Sequence, residues 1–140
     1  MTRKFEPAAC IVIPTGNTIE EILAVSRRHD TTKWGIPGGK QDPGESNAVC
    51  ACREVGEELG IFLAPEDLTP LYSGPCYGAD GRNFWVTTYL LEDTFSGIVH
   101  DVEEGLLVKP FEIITLCNES VSPFAAYNQH VVAAWRSLKG

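Results

Sequence analysis

The chain has no apolar run of the roughly 18 residues that a membrane-crossing helix needs, so no transmembrane helix is read from it. Positive charge is scarce: 11 Lys and Arg stand against 19 Asp and Glu, a net charge of −8. That balance excludes the basic groove of a nucleic-acid binder and adhesion to an anionic membrane. It leaves a phosphorylated small molecule open, because a bound divalent ion inverts the local field. There is no CxxC pair. The five cysteines, 10, 50, 52, 76 and 117, are odd in number and scattered. They read as reduced thiols of a cytoplasmic protein, not as a disulfide framework. The opening segment MTRKFEPAACIVIP has too short an apolar stretch for a signal peptide and is bracketed by Pro7 and Pro14. It reads as a strand. Internal repeats and low-complexity segments are also missing. What remains is 140 residues of ordinary globular composition, read as one domain, 1–140.

What is present is concentrated between Gly38 and Ile61, in GGKQDPGESNAVCACREVGEELGI. Pro43 and Gly44 mark entry into a helix and Gly60 its end. Residues three and four apart share a helix face, so Glu54, Glu57 and Glu58 project together. Like charges at that spacing repel by roughly 0.2–0.5 kcal/mol per pair, and no Lys is interleaved to relieve them. A cation is the simplest reason to keep three carboxylates together, and oxygen-only ligands select hard ions such as Mg²⁺ or Mn²⁺. Opposite the acids, Ala48, Val49, Cys52, Val55 and Leu59 gather into an expected core stripe. Gly56 costs about 1 kcal/mol relative to Ala in mid-helix.

This stretch resembles the Nudix box, G-x5-E-x7-R-E-U-x-E-E-x-G-U, where U is a bulky aliphatic. Gly39, Glu45, Arg53, Glu54, Val55, Glu57, Glu58, Gly60 and Ile61 fill its fixed positions. The resemblance implies an α/β fold, an α/β/α sandwich with a mixed sheet between the box helix and a C-terminal helix. It implies a hydrolase of phosphoric anhydride bonds with Mg²⁺, or alternatively Mn²⁺, held by Glu54, Glu57 and Glu58. It pairs Arg53 with Glu45 to orient the metal-binding acids, and it lets the Gly38-Gly39 backbone approach the metal site. Similar proteins carry a further acid in a later loop, for which Glu103 and Glu104 are the candidates. Glu54 and Glu104 both stand as candidates for the general base. Many similar proteins dimerise, so a homodimer is one expected form.

The substrate expected is a small nucleotide: a nucleoside diphosphate linked to another moiety, attacked by water at phosphorus. Nucleoside triphosphates, ADP-ribose and dinucleoside polyphosphates all stay open. Tyr77 lies 16 residues after Ile61, as in members acting on dinucleoside polyphosphates, and Pro75 lies near the position of a Pro in ADP-ribose members. Arg27 and Arg28, after a strand, are candidate phosphate contacts. Trp34 is a wall of the Gly loop or a face for a base. The rival class is a catalytically silent Nudix-fold nucleotide-binding or regulatory module, whose box carboxylates would be broken; here they are intact.

Elsewhere, Ala8 to Ile13 and Glu21 to Arg27 read as paired strands and Thr31 to Pro37 as a connector. Pro65-Glu66-Asp67 reads as a tight turn, and Leu71 to Gly78 as a short strand broken at Pro75. Asp80-Gly81 reads as a turn. Asn83 to Leu91, apolar on both faces, reads as a central strand. Ile98-Val99-His100 suggests an edge piece, and Pro110 to Ile114 a helical turn. Ser122 as N-cap and Pro123 at N1 begin a last helix running from Phe124 to Leu138. Its buried side holds Tyr127, Val131, Ala134, Trp135 and Leu138, and His130 reads as a surface residue.

Overall fold

The computed structural model describes residues 4–78, 81–97 and 99–140. In chain order come β1 (Glu6–Val12), β2 (Glu21–Arg27), β3 (Asp30–Gly35), β4 (Gly38–Lys40) and α1 (Asn47–Leu59). After a 3-10 turn at Pro65–Asp67 follow β5 (Leu68–Tyr77), β6 (Asn83–Leu91) and β7 (Val108–Glu112). A second 3-10 turn, Ile113–Cys117, leads to α2 (Ala125–Leu138).

The strands form a four-stranded sheet of order β4-β1-β6-β5 and a three-stranded sheet of order β3-β2-β7. The larger sheet is mixed: β1 runs parallel to β6, while β4 and β5 pair antiparallel with their neighbours. Strand alternation explains the sandwich. Ala9, Ile11 and Ile13 enter one apolar layer with Cys50, Ala51, Val55 and Leu59 of α1. Val12 enters another with Tyr127, Val131, Val132 and Trp135 of α2. In β2, Leu23 and Val25 join the first layer while Ile22 and Ala24 join the second. Two helices on opposite faces of strands that are apolar on both sides make the α/β/α sandwich.

Several expected elements differ. The segment expected as a connector is β3, antiparallel to β2 across a register shift at Ser26/Arg27. The first two strands do not share a ladder; one isolated bridge, Pro14 to Ile22, joins them. Pro110 lies in β7, not in a helical turn. Pro75 does not break β5, because β5 is an edge strand and an edge tolerates a missing donor. Asp80 of the expected turn and Ile98 of the expected edge piece lie outside the described residues.

Both helices are displaced from the expected stripes. On α1, Val49 is 46% exposed and Cys50 and Ala51 are buried instead. The helix is rotated because Glu54 and Glu58 turn in toward the Gly38-Gly39 backbone. Ser46 Oγ accepts from Val49 N, and Gly60, at φ 72°, closes the helix. On α2, Phe124 is the N-cap residue, and Ser122 Oγ accepts from Phe124 N one turn early. Leu138 is exposed at the far end.

Candidate active site

Arg53 is the hub. Its guanidinium forks onto Glu45, with Nε donating to Oε2 at 2.6 Å and Nη2 to Oε1 at 3.0 Å. Nη1 donates to Glu54 Oε1 at 3.0 Å and to Glu57 Oε1 at 3.2 Å, and Nη2 also reaches the Lys40 carbonyl at 3.0 Å. Two parallel charge-assisted bonds to Glu45 fix the plane of the guanidinium. They hold the Glu45 carboxyl below the usual carboxylate range. The same plane then sets the positions of Glu54 and Glu57.

The Gly loop supplies the other side. Gly38 N donates to Glu58 Oε1 at 2.9 Å. An added Cβ on Gly39 would sit 2.4 Å from the Glu54 carboxyl carbon. A side chain there would expel that carboxylate. The loop is seated by β4, whose three residues pair with Ala8, Ala9 and Cys10 of β1.

Burial pushes the Glu58 carboxyl up to about 8, helped by the charges of Glu54, Glu103 and Glu57 and opposed by the Gly38 N–H. Burial also raises Glu54 above its ordinary value, against the pull of Arg53. Two carboxyls raised by desolvation and mutual repulsion mark a place short of positive charge. Among the described residues, no three acid, histidine or cysteine side chains converge closely enough to hold an ion as they stand. Arg53 Nη1 donates to both Glu54 and Glu57. The donors are all oxygen, which suits a hard divalent ion. Glu54 and Glu58 are the residues already turned inward, and Glu57 would have to exchange Arg53 for it.

These acids line one end of a cleft of about 820 Å³ between the two sheets. Glu103 lines the same end, whereas Glu104 does not. Glu104 is exposed and contributes its carbonyl to Arg28. Of the two candidate acids, Glu103 is the one that lines the cleft. The other end is apolar, formed by Ile36, Phe84, Val86, Phe124 and Tyr127. Arg27 and Arg28 both line the cleft; Arg27 ends β2 and Arg28 lies in the turn that follows, where strand alternation no longer holds. The Arg27 guanidinium lies 5.2 Å from the Phe124 ring centre, and Arg28 turns to the carboxylate end.

Two expected contacts are corrected. Trp34 is 6% exposed and does not line the cleft. It packs 4.9 Å from Phe111 in the second apolar layer, with Lys109 Nζ over its ring, so it is a wall and not a base platform. Tyr77 is 56% exposed and also lies off the cleft. Cys76, beside it, faces in, and strand alternation carries Tyr77 outward against Phe5. His130 is exposed, stacked on Tyr72.

Asn128 was not singled out from the sequence. It is 2% exposed, lines the cleft, and donates through Nδ2 to the Leu116 carbonyl at 2.9 Å. Its Oδ1 accepts no hydrogen bond from a described residue. The available signal was a polar residue in register with Val131, Val132 and Trp135 on the buried helix face. Cys10 lines the cleft too, but burial pushes its thiol up to about 12, which keeps it neutral.

Among the described residues, no helix is long and apolar enough to cross a membrane. Over 69 residues the chain is 41% identical to the putative 8-oxo-dGTP diphosphatase of Bacillus subtilis (strain 168), covering 49% of this chain and 46% of that protein. It is 35% identical over 66 residues to human diphosphoinositol polyphosphate phosphohydrolase 3-alpha, covering 43% and 40%. The chain thus spans less than half the length of these curated relatives. The crystal structure of MutT NUDIX hydrolase from Burkholderia pseudomallei superposes with a TM-score of 0.65 at 28% identity, covering 79% of this chain and 85% of that one. The NUDIX domain family matches residues 4–131, a span that holds the whole Arg53 network and both ends of the cleft, and the chain belongs to that family.

Proposed function

We propose that the protein is a Mg²⁺-dependent pyrophosphohydrolase, with Mn²⁺ as the alternative ion, acting on a nucleoside diphosphate linked to another group. The observation that carries this reading is one cleft with the box acids at one end and aromatic walls at the other. Its volume is in the range of small-ligand sites. Polyphosphate belongs at the acidic end, where Glu54, Glu57 and Glu58 would hold the ion, and a base at the Phe84 and Phe124 end.

The ion, when bound, would neutralise phosphate charge and activate water. The chain's own residues do the rest. Arg53 and the Gly38 N–H fix the directions of Glu54 and Glu58. Water attacks phosphorus, its proton passes to a carboxylate, and the bridging P–O bond breaks with the electron pair leaving on the phosphate oxygen. Glu103 is placed to take that proton. Asn128, anchored through Nδ2, offers Oδ1 to an N–H on the base edge.

A nucleoside triphosphate fits best among the three substrates. The outward Tyr77 removes support for a dinucleoside polyphosphate, and the 8-oxo-dGTP activity in the name of the Bacillus subtilis relative points the same way. A highly phosphorylated inositol is disfavoured because, Arg27 apart, the Arg and Lys side chains of the cleft are already engaged. Arg28 holds Glu103, Lys33 holds the Ser120 carbonyl, and Lys40 and Arg82 both meet Glu6.

The test is a panel of dNTPs, oxidised dGTP, ADP-ribose, diadenosine polyphosphates and nucleotide sugars, with Mg²⁺ and then with EDTA. Products are separated by chromatography. Cleavage of the triphosphates to monophosphate and pyrophosphate, abolished by EDTA, is expected. Glu58→Gln should lower turnover at least about a hundredfold while the protein stays folded. Silence across the panel from folded protein would favour a binding module, and cleavage indifferent to EDTA would overturn the metal role.

A further inference from the structure

Glu103 reaches the carboxylate end of the cleft from a loop, and loops seldom hold a side chain in one place unaided. This one is pinned at several points. Ser26 N donates to the Leu107 carbonyl at 2.9 Å, and Leu107 N returns a bond to Ser26 Oγ at 2.9 Å. Leu106 is buried, and Val102 rests on Gly60 at the end of the box helix. Gly105, at φ 85°, turns the chain back over the Arg28 stem, where an added Cβ would stand 3.4 Å from Cγ. These contacts hold the backbone; none of them holds the Glu103 carboxylate.

Arg28 does. Its Nη2 donates to Glu103 Oε1 at 2.5 Å and its Nη1 to the Glu104 carbonyl at 3.0 Å. One guanidinium thus ties the carboxylate to the backbone of the next residue, and the planar fork fixes the angle between them. Glu103 Oε2 accepts nothing from a described residue, so one oxygen is anchored and the other is free to meet a water. The Glu103 carboxylate is close enough for its charge to act on Glu54 and on Glu58.

We propose that Arg28 is a positioning residue that aims Glu103 Oε2 at the attacking water, and that it is not a phosphate-binding residue. The inference rests on the hydrolase reading above. Arg28 fits the task because both its acceptors belong to the loop that carries Glu103. Arg27, one residue earlier, has no carboxylate partner among the described residues and lies against Phe124.

The experiment is a double-mutant cycle of Arg28→Gln and Glu103→Gln on the whole chain, with kcat and KM measured for the substrate the wild type cleaves. Glu103→Gln should lower kcat about a hundredfold. Arg28→Gln should lower kcat about tenfold with KM unchanged within about twofold. The double variant should be no slower than Glu103→Gln alone, because Arg28 acts through Glu103. Arg28→Lys should recover part of the loss, since an ammonium reaches one of the two acceptors at a time. Far-ultraviolet circular dichroism checks that each variant folds. A raised KM with intact kcat, or losses that multiply in the double variant, would overturn the inference and make Arg28 a phosphate contact. A lowered melting temperature with kcat and KM both intact would reduce it to a structural tie. A wild type that cleaves nothing on the panel refutes the hydrolase reading, and this inference with it.

Discussion

One added methyl separates the site from the fold. In Gly39→Ala the new carbon would lie 2.4 Å from the Glu54 carboxyl carbon and 2.5 and 2.7 Å from its oxygens. What it meets is the far end of a flexible side chain, so Glu54 yields and the sheet does not. Glu54 then gives up its 3.0 Å bond from Arg53. A hydrogen bond to a charged group is worth roughly 1.5–3 kcal/mol. Arg53 keeps Glu45 and Glu57, and the pair is partly exposed, so the cost in stability should be about 1 kcal/mol. For a domain of this size that shifts Tm by about 3–5 °C. Turnover should fall about a hundredfold, the usual effect of moving a catalytic group by about an ångström. Gly38→Ala is the contrast. Its Cβ would lie 2.2 Å from the Ala9 carbonyl and 2.5 Å from the Cys10 Cα, backbone atoms of β1 that cannot step aside. It should cost at least about 1–3 kcal/mol as an overpacked position. Scanning calorimetry and initial rates on both variants decide the matter. Gly39→Ala with wild-type turnover, or with a Tm loss equal to that of Gly38→Ala, would refute the reasoning.

Three further expectations follow from burial and alternation. The Glu58 carboxyl is pushed up to about 8 in the fold from an ordinary 4.5, so the metal-free protein carries no penalty from it below about pH 4.5 and loses stability as pH rises through about 8. In EDTA, Glu58→Gln should match the wild-type Tm near pH 4.5 and exceed it near pH 9, and a difference that is flat with pH would count against the buried carboxyl. Tyr77→Ala should leave kcat and KM within about twofold, whereas Trp34→Ala should cost about 3–5 kcal/mol in urea unfolding as a large core deletion; a raised KM for Tyr77→Ala would return it to the cleft.

The legible parts of this chain are those fixed by short-range spacing. The spacing put Glu54, Glu57 and Glu58 on one face of α1, and the resemblance to the box implied the Arg53–Glu45 pair that the fold forms. A dense run of aromatic and β-branched residues, apolar on both faces, revealed β6. What was hidden depends on contacts between distant segments. The polar DTTKWG sequence of β3 becomes a strand because β2 offers it a partner. The choice of Glu103 over Glu104 turns on which neighbour Arg28 reaches with its side chain and which with the carbonyl. The rotation of α1 toward Cys50 follows from the fit of Glu54 against Gly39, which no periodicity encodes. Trp34 carried no mark in the sequence to say which side of β3 would face Phe111.

The parallel pairing of β1 with β6 has a consequence for the order of assembly. Cys10 and Thr88, neighbours across that ladder, are 78 positions apart in the chain. Closing a loop that long precedes any reward from the contacts it makes. A chain growing from its N-terminus has every box residue before any of β6, and gains Phe124, Tyr127 and Asn128 later still. The motif that announces the chemistry is therefore made before Phe84, Phe124 and Tyr127, and the cleft it serves closes only after them. A fragment ending after the box carries the whole signature but lacks Phe84, Val86, Phe124 and Tyr127 of the wall.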